Sequence, residues 1–110
     1  MADRLVICDT CAALGDTAKG ADWAKTLRGV VKGVEVKTVS CLNICDRPVS
    51  LAVQGKGKPT YVFGDTDPDT DTDNLISLLE LYQSAPKGDI TDARSIGRLR
   101  HCLVAKIPAL

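Results

Sequence analysis

Four of the five cysteines fall into two close pairs, Cys8 with Cys11 and Cys41 with Cys45, in the patterns Cys-x2-Cys and Cys-x3-Cys. A single cysteine in a reduced protein is by default a small buried hydrophobe. Two pairs, each close enough in sequence to chelate, point instead to a metal or redox site. Four thiolates are a donor set for Zn²⁺ or for an iron–sulfur cluster. The fifth, Cys102, lies between His101 and Leu103 with no cysteine near it and is expected to be a core residue. His101, the single histidine, is read the same way, with a hydrogen bond to the site as the alternative.

For the pairs to meet, the chain must bring residue 8 and residue 41 to one place. Residues 4–7 are a short apolar run ending at Cys8 and predict a buried strand. Trp23, Leu27, Val30 and Val31 recur at helical spacing, which predicts an amphipathic helix starting near Asp16 or Asp22 and ending at Gly33. Residues 34–39 alternate as a second strand would. A strand, a helix and a strand in that order favour a parallel pair, whose two exits lie at the same end of the sheet. Cys8 and Cys41 would then leave that end together.

The rest of the chain extends this sheet. Residues 49–53 and 60–63 predict two strands, and the turn-forming link 54–59 makes them a hairpin. Leu75, Leu78, Leu79 and Tyr82 mark one face of a last helix over Thr72–Ser84. The expectation is a single α/β domain over residues 1–110, with a mixed four-stranded sheet and helices packed on it. Residues 86–110 form a C-terminal extension with no assigned element.

Two charged stretches need separate readings. Asp65, Asp67, Asp69, Asp71 and Asp73 alternate before the last helix and partly match a calcium loop, but Asn74 stands where that loop needs glycine. The preferred reading is a solvated loop whose acids favour the helix N-terminus. Arg94, Arg98 and Arg100 form a basic cluster. A solvated face is the default for such a run, and docking an acidic partner or the protein's own aspartate loop are the alternatives.

The run from Cys41 to Val53, Cys-Leu-Asn-Ile-Cys-Asp-Arg-Pro-Val-Ser-Leu-Ala-Val, resembles the second half of thioredoxin-like [2Fe–2S] ferredoxins. It is also similar to the small iron–sulfur subunit of respiratory NADH dehydrogenase. The resemblance implies a thioredoxin-like fold and iron-ligand roles for Cys41 and Cys45, with Cys8 matching the first ligand. Cys11 departs from the pattern, because those ferredoxins separate the first two ligands by more residues. The short spacing is also compatible with zinc. Over nearly its whole length the chain resembles a bacterial family of predicted metal-binding proteins often encoded beside cobalamin-biosynthesis genes. The segment Asp92-Ala93-Arg94-Ser95-Ile96-Gly97-Arg98-Leu99-Arg100 and the ending Ile107-Pro108-Ala109 also carry that likeness.

Composition narrows the function classes. Hydrophobic residues are 45% and charged residues 25% of the chain, and the formal net charge is zero, so no global field attracts nucleic acid or a membrane surface. A secretory leader and a membrane-length apolar stretch are both missing, and a cytoplasmic location is expected. Thiols stay reduced there, which favours metal chemistry over disulfides. The leading expectation is a small [2Fe–2S] electron-transfer protein, not itself an enzyme, that serves a redox partner docked through Arg94, Arg98 and Arg100. A reductive step of cobalamin biosynthesis is one such service, and a homodimer is allowed. The alternatives are a zinc- or other metal-binding module without redox role, and a thiol–disulfide oxidoreductase using Cys8 and Cys11.

Overall fold

The structure is a computed structural model and describes residues 3–8, 20–31, 33–39, 49–90 and 92–109. Strand β1 spans Asp3–Cys8, helix α1 Gly20–Val30, and strand β2 Val34–Val39. Strands β3 (Leu51–Gln54) and β4 (Thr60–Phe63) form the expected hairpin, followed by helix α2 (Thr72–Ser84). The sheet has five strands, not four, in the order β2-β1-β3-β4-β5. The added strand, β5 (Leu103–Ile107), lies in the extension that carried no sequence assignment and follows 3-10 segments at Pro86–Gly88 and Arg94–His101.

β1 and β2 are parallel, with Leu5 level with Val36 and Cys8 level with Val39. All other pairings are antiparallel. The period-2 alternation of the strands decides the layering. Leu5, Val36, Val53 and Tyr61 form one row across the sheet and Ile7, Leu51 and Phe63 the next, and all seven belong to the main core cluster. Trp23, Ala24 and Leu27 of α1 and Leu75, Leu78, Leu79 and Tyr82 of α2 join that cluster, as do Val49, Ile96, Leu99 and Cys102. Both helices therefore pack on one face of the sheet. The Trp23 indole nitrogen donates to Thr72 Oγ1 at 3.0 Å and links the two. Val6, Ala52, Val62 and Ala105 make a row on the opposite face.

α1 is shorter than its apolar periodicity suggests. It ends at Val30, and Gly33, at φ +75°, turns the chain into β2. A Cβ at Gly33 would also come within 2.7 Å of the Gln83 amide, the movable end of an exposed side chain, so it is the positive φ that favours glycine there.

At the hairpin end, Lys58 closes the sheet against α2. Its Nζ lies 2.7 Å from Asp3 Oδ2 and 4.8 Å from the centroid of the Tyr82 ring. The Tyr82 hydroxyl donates to the Pro59 carbonyl at 2.6 Å. Burial first, then the neighbouring Asp3 and Tyr61, push that hydroxyl up to about 12, so it stays a donor at ordinary pH. Tyr82→Phe keeps the ring but leaves the Pro59 carbonyl without this donor. We expect urea denaturation to show a loss of about 1–2 kcal/mol.

Candidate metal centre

The site begins at the end of β1. Cys8 is fully buried, and strand alternation places it on the face opposite Leu5 and Ile7. One neighbour is Val39, the last residue of β2. On its other side the Cys8 N–H donates to the Ser50 carbonyl at 3.0 Å, just before β3. The chain thus leaves β2 at Val39 on one side of Cys8 and returns at Val49 and Ser50 on the other. The connecting segment, residues 40–48, carries Cys41 and Cys45. Cys11, Cys41 and Cys45 themselves lie outside the described residues.

The return point is firmly held. Val49 and Thr66 exchange backbone hydrogen bonds at 3.1 and 3.3 Å, and the buried Thr66 hydroxyl donates to the Val49 carbonyl at 2.6 Å. Thr66 belongs to the loop after β4, which turns at Asp65, a non-glycine residue at φ +56°. Arg98 fixes this loop. Its Nη2 lies 2.6 Å from Asp71 Oδ2 and 2.6 Å from the Asp65 carbonyl, and its Nε 3.3 Å from Asp71 Oδ1. Asp71 is fully buried and also accepts from the Asp67 N–H at 2.8 Å and from the Asn74 amide at 3.2 Å. Burial alone would raise the Asp71 pKa, but the Arg98 ion pair with the Asp67 and Asn74 hydrogen bonds outweighs it and holds the carboxyl below its ordinary value.

These contacts revise two sequence readings. The aspartate loop is not simply solvated, because Asp71 is an internal anchor. Nor do the three arginines form one free docking face. Arg98 is committed to Asp71 and Asp65, and Arg94 pairs with Asp92 at 2.8 Å and draws that carboxyl down to about 2. Arg100 Nε donates to His101 Nε2 at 3.2 Å. His101 is exposed, not a core residue. Gly97, at φ 59° and ψ −130°, interrupts the segment between Arg94 and Arg98, so the two do not continue one regular helical turn.

Cys102 lies within the core cluster, as its isolation in sequence suggested. Its sulfur is 3.6 Å from the Arg98 carbonyl and 3.8 Å from that of Asp65. Its own carbonyl accepts from Gly64, beside β4 and β5. It is therefore at the same end of the sheet as Cys8 but three strands away, about 14 Å at ordinary strand spacing.

Sequence reasoning did not name Ser50 or Thr66, and it named Asp71 only as one member of the aspartate run on which the arginines could dock. Their partners are 42, 17 and 27 residues away, and nothing local marks such pairs. Among the described residues, no group of three or more His, Cys, Asp or Glu side chains is arranged to hold a metal ion, and no helix is long and apolar enough to cross a membrane.

No curated protein matches the chain. Among solved structures, a thioredoxin-like [2Fe–2S] ferredoxin from Aquifex aeolicus superposes with a TM-score of 0.56 over 96% of this chain and 92% of that one, at 12% identity. The two proteins share a fold, and the expected thioredoxin-like architecture holds. A family model covers residues 5–109, and the chain belongs to that family, DUF1636, described as a protein of unknown function.

Proposed function

We propose that the protein is a ferredoxin-like electron carrier that holds a [2Fe–2S] cluster on Cys8, Cys11, Cys41 and Cys45. One observation carries the proposal: the segment bearing Cys41 and Cys45 leaves and rejoins the sheet on the two sides of Cys8. Covalent geometry limits how far the others can stray. Cys41 is two residues beyond Val39 and Cys11 three beyond Cys8, so each Cα is within about 7 Å and 11 Å of its anchor. Four thiolates drawn from two segments that leave one end of the sheet fit such a group by donor chemistry. The shared fold of a protein described as a [2Fe–2S] ferredoxin supports the same reading.

When bound, the cluster supplies one-electron transfer. The protein's own part is to present the sulfurs and hold the loop ends. Val39 pairs with Cys8 in the β1–β2 ladder, and Val49 and Ser50 bond to Thr66 and Cys8, so both flanks of residues 40–48 are tied to the sheet. Four thiolate ligands leave no open coordination position, which favours a carrier over an enzyme. A place in cobalamin synthesis, with a redox protein as partner, completes the proposal and rests on the family likeness alone. Full burial of Cys8 disfavours the thiol–disulfide alternative, since an attacking thiolate needs access.

Elemental analysis of protein purified without oxygen tests the proposal. The expected result is about two irons and two acid-labile sulfides per chain. Stoichiometric zinc without sulfide overturns the cluster and keeps a four-cysteine site. Neither metal in any amount overturns both.

A further inference from the structure

Thr66 is a buried polar residue in a loop otherwise rich in aspartate. Its hydroxyl is not used within its own turn. It donates to the Val49 carbonyl at 2.6 Å, 17 residues away. The Thr66 N–H reaches the same carbonyl at 3.3 Å, and the Thr66 carbonyl accepts the Val49 N–H at 3.1 Å. The hydroxyl thus makes the shortest of three bonds that hold both peptide groups of Val49. Pro48, the residue before it, has no N–H to give.

The C-terminal extension holds Thr66 in turn. Ile96 and Leu99 are buried in the core cluster and seat the segment Arg94–His101 beside α2. Gly97 lies so close to α2 that a Cβ on it would come within 2.7 Å of Asn74 Oδ1. Arg98 then grips both sides of Thr66. Its Nη2 donates to the Asp65 carbonyl at 2.6 Å on one side. Its ion-pair partner Asp71 accepts the Asp67 N–H at 2.8 Å on the other. Asp65, at φ +56°, keeps a backbone conformation uncommon outside glycine, as a residue does when its neighbours fix it. Apolar packing could stabilise this corner as well as an ion pair with a buried member does. It could not orient a carbonyl and an N–H on the two sides of one residue.

We propose that Thr66, clamped by Arg98 and Asp71, is the positioning residue for the return end of the cysteine segment, and that the C-terminal extension supplies the clamp. This role rests on the metal site proposed above and extends its upkeep to residues beyond the cysteines. Cys45 is four residues before Val49, so its Cα lies within about 14 Å of the point that Thr66 fixes. Freedom at Val49 becomes freedom at that sulfur, and a site whose support is loose holds its metal less well. Partners that orient ligands directly change metal affinity roughly 10- to 100-fold. Thr66 acts through the backbone, and an effect at the lower end of that range is expected.

Amide hydrogen exchange and metal transfer to a chelator, both on the purified full chain, test the proposal. Thr66→Ala and Thr66→Ser differ by the hydroxyl alone, and both keep the backbone bonds to Val49. Thr66→Ala is expected to speed exchange at Val49 and Thr66 about fivefold and release of the bound metal, iron or zinc, about tenfold. Exchange across α1 should stay as in wild type. Thr66→Ser should bring both rates back to within about twofold of wild type. Wild-type rates in Thr66→Ala overturn the proposal, as does a Thr66→Ser variant that fails to recover. Faster exchange with unchanged metal release confines the hydroxyl to the fold and overturns it as well. So does a rise in exchange that includes α1, which reports a general loss of stability. A wild type that carries no metal overturns the metal site itself, and exchange at Val49 then decides the clamp alone.

Discussion

Replacing Cys8 with serine is expected to abolish the visible absorption of protein purified without oxygen, or to leave a labile remnant of about a tenth of it. In the proposed site Cys8 would be central: it sits between the strand from which the Cys41–Cys45 segment leaves and the strand to which it returns. Cys41→Ser and Cys45→Ser should behave alike. Cys102→Ser should keep full iron, because three strands separate it from Cys8, about 14 Å. The core rows and both helices do not include Cys8, so far-UV circular dichroism should be unchanged in the bleached variants. Bleaching by Cys102→Ser with retention in Cys11→Ser would move the fourth ligand to the tail and contradict this assignment.

Arg98→Ala is expected to destabilise the protein by about 2–4 kcal/mol at neutral pH, measured by urea denaturation. The cost arises less from the lost attraction than from Asp71, a fully buried carboxylate left with only the Asp67 and Asn74 donors. Half of the Arg98 side chain is exposed, so water can enter where the guanidinium stood and lessen the effect. Arg98→Lys should cost about half as much, since it keeps the charge and loses the forked geometry. The pH dependence has a definite sign. The folded-state pKa of Asp71 is depressed, so its contribution is complete above the unfolded carboxylate value of about 3.9 and is lost as pH falls through the folded value. The gap between wild type and Arg98→Ala should therefore narrow below about pH 4. A gap unchanged at pH 3 would show that the Arg98 effect is packing and not charge.

Elements dominated by local pattern were legible. α2 has its four-residue apolar face and the expected limits, and β2 and β4 match the alternation of their side chains. The parallel β1–β2 pair and the hairpin follow from element order. β5 was not legible because it has no buried face of its own: its residues are nearly all exposed, and only its pairing with β4 makes it a strand. β3 starts two residues later than its apolar run: the Cys8–Ser50 hydrogen bond continues the β1–β3 register one residue beyond the strand, while Val49 bonds to Thr66 of the loop after β4.

Of the four candidate donors, Cys8 alone lies in the described residues, at the end of the expected first strand, and the frame around it was not legible. Cysteine spacing alone singled out the pairs, and strand order placed the first of them. The Arg98–Asp71 anchor realises, for one of the three arginines, the alternative of docking on the protein's own aspartate loop. Its meaning lies in the burial of one carboxylate, which composition and spacing do not encode.

The most direct measurement is electron paramagnetic resonance of the anaerobically purified protein after reduction with dithionite. A [2Fe–2S] centre on Cys8, Cys11, Cys41 and Cys45 predicts silence before reduction and, after it, a spin-half signal of about one unpaired electron per chain. A colourless protein with one zinc per chain and no signal in either state would contradict the account.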